Sequence, residues 1–121
     1  MNKKVFTVLV ADVEPGIRSG VARILRNFHV TYPFMDEDYT YEVLEAATGE
    51  EGIEIIDREK PDIMLLDNKL PGIQGVEVLE YVKKVVELYH GVINVESVAD
   101  KRTTFTVIVP RMQVQNLKEE I

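Results

Sequence analysis

Two short, almost unbroken apolar runs stand out in the first half of the chain: VFTVLVA at 5–11 and IMLL at 63–66, just after Asp62. Each has strand length and is rich in aliphatic residues, the pattern of strands buried on both faces of a parallel sheet. Between and after them the spacing becomes helical. Ile17, Val21, Ile24, Leu25 and Phe28 recur at helical intervals behind Glu14-Pro15. A helix therefore opens on a proline whose missing N–H costs nothing in the first turn, and runs to about Asn27. Residues 41–46, YEVLEA, return to strand character, and Thr48 with Glu51 has the spacing of a capping box, starting a second helix that runs to about Arg58. Beyond Asp67 and the turn Asn68-Lys-Leu-Pro-Gly72, Val78, Leu79, Val82, Val85, Val86 and Tyr89 mark a third helix through about His90. Glu80 and Lys84 form an i, i+4 pair on it, and Gly91 is placed to stop it. Segments 92–98 and 103–109 alternate and are joined by Ala-Asp-Lys-Arg, which predicts an antiparallel hairpin ended by Pro110. Val114, Leu117 and Ile121 allow a short final helix. The segment HVTYPFMDEDYT at 29–40 keeps no period and reads as an extended loop. Strands alternating with helices mean βαβ units and a mainly parallel sheet.

The chain has 121 residues, 45% hydrophobic and 29% charged, which suits one domain with a real core, spanning 1–121. Fourteen Lys and Arg against twenty-one Asp and Glu leave a formal charge of −7. A net anion whose densest basic groups are Lys3-Lys4, Lys83-Lys84 and Lys101-Arg102 is not expected to bind nucleic acid. The absence of cysteine removes disulfide scaffolds, thiolate metal sites and cysteine nucleophiles together. The apolar run near the N-terminus meets Asp12 and Glu14 and reads as a strand, not a secretory leader. No run approaches the ~20 residues that cross a bilayer, so no membrane association and a cytoplasmic setting are expected.

Candidate chemistry sits at strand ends. In an open parallel sheet, ligands gather outside the carboxyl ends of the strands where strand order reverses. Asp12 follows one apolar run and Asp67 the other. As neighbours, their carboxylates and that of Glu14 would make an oxygen-rich cluster suited to a hard cation such as Mg²⁺. Strand-end aspartates that merely cap loops give the same pattern, and spacing alone leaves both readings open. His90 fits a helix C-terminus, His29 lacks a second ligand at metal spacing, and Asp36-Glu37-Asp38 lacks the alternate spacing and glycine of a calcium loop and reads as a solvated turn. Tyr32, Phe34, Tyr39 and Tyr41 are either local packing or an aromatic contact surface.

VLVADVEPGIR, YEVLEAATGEEGIEII and PDIMLLDNKLPGIQGVEVLEYV, in that order and spacing, resemble the receiver domain of bacterial response regulators over about residues 4–82. The resemblance implies an α/β, flavodoxin-like, doubly wound and mainly parallel sheet. It implies a two-component signalling role in which Asp67 accepts a phosphoryl group from a phosphohistidine, with a histidine kinase or phosphotransfer protein as partner. It also implies Mg²⁺ held by Asp12, Asp67 and the backbone carbonyl of Lys69. The chain is then a phosphoacceptor and not an ATP-dependent kinase.

Two departures matter. The family's strand-one acidic pair reads Asp12-Val13, which removes one carboxylate ligand and should weaken the metal, with Glu14 as a substitute. After Val82 the receiver pattern stops, and the family's fourth-strand Thr or Ser and fifth-strand Lys-Pro find no aligned counterpart. Instead KKVVELYHGVINVESVADKRTTFTVIVP at 83–110 resembles the C-terminal end of a histidine kinase ATP-binding domain, without its asparagine or glycine-rich boxes and with Arg102 where a glycine precedes Thr-Thr-Phe. ATP binding is not expected. The segment should instead extend the sheet beside the 62–66 strand, its hairpin replacing the usual last βα units, followed by a tail at 111–121. The alternative function is a degenerate receiver that keeps the fold and acts as a docking or dimerisation module without phosphate. If the second and third helices share a face, the first is left with only the tail for company, and the uncovered apolar sheet predicts a homodimer.

Overall fold

The computed structural model describes residues 2–32, 34, 36–88, 94–99 and 103–108. The elements are β1 (Asn2–Ala11), α1 (Pro15–Arg26), β2 (Val30–Tyr32), β3 (Glu37–Ala46), α2 (Gly49–Glu59), β4 (Ile63–Asp67), α3 (Gly75–Leu88), β5 (Asn94–Ala99) and β6 (Thr103–Ile108). They build one six-stranded sheet in the order β2-β3-β1-β4-β6-β5. Its centre, β3-β1-β4, is parallel, and antiparallel strands close both sides. This is the flavodoxin-like architecture that the resemblance implied, with the C-terminal hairpin seated beside β4 as expected.

Each helix forms where its sequence allows it. Pro15 opens α1. Thr48 caps α2, its hydroxyl accepting from the Glu51 amide at 3.1 Å. The predicted end of the third helix at His90 and Gly91, the hairpin turn at 100–102 and the tail helix lie outside the described residues.

The two faces of the sheet carry separate cores. Leu9, Ala11, Ala46, Met64, Leu66 and Val107 meet Ile55 and Ile56 of α2 and Val78, Val82 and Val86 of α3 on one side. Val8, Val10 and Val43 meet Ala22, Val21 and Leu25 of α1 on the other, flanked by Ile63 and Leu65. So α2 and α3 do share a face, and α1 lies over β1 and β3.

One expectation needs correction. Residues 29–40 are not an extended loop: β2 pairs antiparallel with β3, Val30 opposite Tyr39 and Tyr32 opposite Glu37, across a turn in which Asp36 takes a left-handed φ of 53°. Aspartate tolerates that conformation better than most residues. Only Asp36 of the acidic triplet lies in the turn. Glu37 and Asp38 are strand residues whose charges are met across strands. Lys4 of β1 donates to Glu37 at 3.0 Å, while the Thr31 hydroxyl donates to Asp38 at 3.3 Å and His29 pairs with Asp38. Local polarity therefore hid a strand that its partners make tolerable. The aromatics divide: Tyr39 and Tyr41 pack with Phe6 and Phe28, at ring centroid separations of 5.3 to 6.0 Å, whereas Phe34 is fully exposed.

Candidate functional site

The sheet order makes β1 the strand at which the winding reverses, with β3 on one side and β4 on the other. In the β1–β4 register Ala11 stands opposite Leu66, so the next residues, Asp12 and Asp67, come side by side at the carboxyl ends of two parallel strands. Both are buried, 6% and 3% exposed, among apolar neighbours. Charge at such a place must be satisfied by polar contacts.

Asp12 has several. Its amide donates to Ala46 of β3 at 3.0 Å, carrying the sheet ladder one residue past the strand. Its Oδ1 accepts from the Glu14 amide at 2.9 Å, a local turn that sets the chain up for α1. Its carbonyl accepts from Arg18 Nη1 at 2.7 Å, and Arg18 also pairs with Glu45 at 3.4 Å. Arg18 is thus a structural support of the site that helical spacing alone did not single out. Asp67 Oδ1 accepts from the Lys69 amide at 3.2 Å, so the turn after the strand folds back over its carboxylate. Gly75, the first residue of α3, donates to the Asn68 carbonyl at 3.1 Å, and a Cβ there would overlap the Asp67 carbonyl. Glycine is what lets α3 begin so close to this strand end.

Asp12 and Asp67 line one cavity of about 240 Å³ with Val10, Ala11, Ile17, Val21 and Leu65. Val13 and Glu14 are exposed, Glu14 standing at the N-cap of α1 without a side-chain capping bond. Among the described residues no three His, Cys, Asp or Glu side chains gather closely enough to hold a metal ion, so Glu14 does not complete a three-carboxylate cluster with the two aspartates. Two buried carboxylates, with the Lys69 backbone in the adjoining turn, remain an oxygen donor set that fits a hard divalent cation with water filling other positions. Sequence reading also missed the neighbour on the far side: Thr104 of β6 stands in register with Asp67, because an antiparallel strand brings its first residues to this end of the sheet.

The sheet order and the strand-end aspartates place the chain among the doubly wound α/β proteins, and comparison with known proteins makes this specific. The profile of the family described as the response regulator receiver domain matches residues 8–112, and the chain belongs to that family. It is 37% identical over 87 residues to sporulation initiation phosphotransferase F of Bacillus subtilis, covering 72% of this chain and 59% of that protein. It is 35% identical over 83 residues to the nitrate/nitrite response regulator protein of Escherichia coli, covering 69% of this chain and 34% of that one. The chain thus spans about a third to three-fifths of these relatives. The crystal structure of the N-terminal domain of a response regulator receiver protein from Methanoculleus marisnigri is similar at 29% identity and a TM-score of 0.51, over 64% of this chain and 55% of that one. Receiver domains are phosphoacceptors of two-component systems that work with histidine kinases or phosphotransfer proteins and generally bind Mg²⁺. No described helix is long and apolar enough to cross a membrane.

Proposed function

We propose that this chain is a receiver module in which Asp67 accepts a phosphoryl group from a phosphohistidine of a kinase or phosphotransfer protein. The observation that carries the reading is the burial of Asp12 and Asp67 side by side at the ends of β1 and β4, facing one cavity. An Asp67 carboxylate oxygen forms the new P–O bond as the P–N bond breaks, and the electron pair leaves on the imidazole nitrogen, which takes up a proton. Asp12, Asp67 and the Lys69 carbonyl would hold Mg²⁺, which when bound offsets the negative charge that nucleophile and phosphoryl group bring together. Asp12 keeps its place through the Ala46 and Glu14 backbone contacts. The Lys69 amide on Oδ1 orients the acceptor carboxylate. Binding should be weaker than an acidic pair would give, because Val13 supplies no ligand.

The segment 83–110 serves as scaffold in this reading: the receiver profile runs through it to residue 112, and β5 and β6 extend the sheet beside β4. The antiparallel seats of β6 against β4 and of β5 against β6 support that view. Residues 1–121 act as one cytoplasmic unit without nucleic-acid contacts. Apolar groups on the α1 face of β4 and β6, Ile63, Leu65 and the 43% exposed Ile108, support self-association as a homodimer. The acceptor role is tested by incubation with acetyl phosphate and Mg²⁺: an adduct released by hydroxylamine, as an acyl phosphate is, and mapped to Asp67 is expected. A chain that stays unlabelled would be a docking receiver that works without phosphate. A monomeric mass at high concentration would remove the dimer.

A further inference from the structure

We propose that Glu50 is a positioning residue for the turn at 68–74, holding it over Asp67 from the first turn of α2; the proposal rests on Asp67 being the acceptor. The turn is fastened at both ends by its own neighbourhood: the Lys69 amide on Asp67 Oδ1, and Gly75 on the Asn68 carbonyl. Its outer half is fastened from α2. The Glu50 carboxylate accepts from the Ile73 amide at 2.8 Å, and the Gly49 amide donates to the Pro71 carbonyl at 3.4 Å.

The packing is built around this contact. A Cβ on Gly49 would overlap the Ile73 carbonyl, so α2 can approach the turn only with glycine there. Gly72 takes a left-handed φ of 72°, and a Cβ on it would meet the Glu50 carboxylate. Two glycines on opposite sides of one interface thus give the carboxylate its access. At the start of α2 its charge is favoured by the helix dipole, and a bond from an amide to an ionised acceptor is stronger than a neutral one. Glu50 is exposed and far from any core role, yet it grips the segment that carries the Lys69 amide and carbonyl. Release of the outer half lets the turn lift, and the acceptor carboxylate loses the amide that orients it.

The test compares Glu50→Ala and Glu50→Gln with wild type in two measurements: the initial rate of labelling by acetyl phosphate with Mg²⁺, and hydrogen exchange at the Lys69 and Ile73 amides. Glu50→Ala should label roughly 3- to 10-fold more slowly and exchange faster at both amides by a similar factor, the scale of one lost hydrogen bond. Glu50→Gln, whose amide oxygen still accepts from Ile73 but as a weaker, neutral partner, should fall between wild type and Glu50→Ala in both. Wild-type labelling in the alanine variant, or a glutamine variant as impaired as alanine, would overturn the proposal. A wild-type chain that takes no phosphoryl group would instead overturn the acceptor reading. Exchange at Lys69 would then decide the positioning on its own, unchanged protection in Glu50→Ala counting against it.

Discussion

Replacing Val13 by aspartate measures what the lost half of the acidic pair costs. Val13 is 45% exposed, so the substitution forfeits at most about 1 kcal/mol of apolar burial. It adds a carboxylate on the residue beside Asp12, where the receiver resemblance implies a second acidic ligand. Two unit charges about 4 Å apart interact by about 1 kcal/mol even in a water-like dielectric, hence about 2 kcal/mol for a divalent cation. Since 1.4 kcal/mol is tenfold in affinity, Mg²⁺ should bind at least about 30-fold more tightly to Val13→Asp. The same charge repels Asp12 and Asp67 when no metal is bound, so the metal-free Tm should fall. Thermal unfolding across a Mg²⁺ series reads both effects, because a ligand stabilises the folded state by RT ln(1 + [L]/Kd). At Mg²⁺ concentrations well above the parent Kd, the variant should gain roughly 6–10 °C more than the parent over its own metal-free value. Equal metal-dependent shifts in the two proteins would refute the idea that position 13 faces the metal.

Three further outcomes follow from the geometry. Gly75→Ala places a methyl group against the Asp67 carbonyl, pushing α3 off the strand end at a cost of about 1–3 kcal/mol; an unchanged urea midpoint would contradict this close approach. The Tyr81 hydroxyl donates to Asp57, linking α3 to α2, and this bond raises the Tyr81 pKa. Its stabilising effect is therefore fully present below the unfolded tyrosine pKa of about 10 and is lost as pH rises through the higher folded value, so wild type and Tyr81→Phe should differ at pH ~8 and converge in strong alkali. Glu37 has its pKa lowered by hydrogen bonds from Tyr39 and then Lys4. Its contribution is present above the unfolded glutamate pKa of about 4.3 and is lost as pH falls through the lower folded value; a Glu37→Gln deficit persisting at pH ~2 would contradict that.

What the sequence made legible is what period and capping report. The two apolar runs became β1 and β4, Thr48 became the cap of α2, and the Asp12 and Asp67 positions at strand ends translated directly into neighbouring buried carboxylates. What stayed hidden depends on long-range partners. Glu37 and Asp38 look like loop residues until Lys4, Thr31 and His29 are beside them. The hairpin at the C-terminal end of the chain was visible, but its register was not, and only the register brings Thr104 opposite Asp67. Glu50 was not singled out in the sequence, where only Thr48 and Glu51 marked the start of α2. Its bond to the Ile73 amide exists only because the turn after β4 folds against α2.

Phosphoryl transfer to Asp67 is read from the intact mass of the protein after incubation with acetyl phosphate and Mg²⁺, beside Asp67→Asn treated identically. A single phosphoryl adduct is expected on the wild type and none on the variant. An adduct of equal extent on both, or none on either, would contradict Asp67 as the phosphoacceptor.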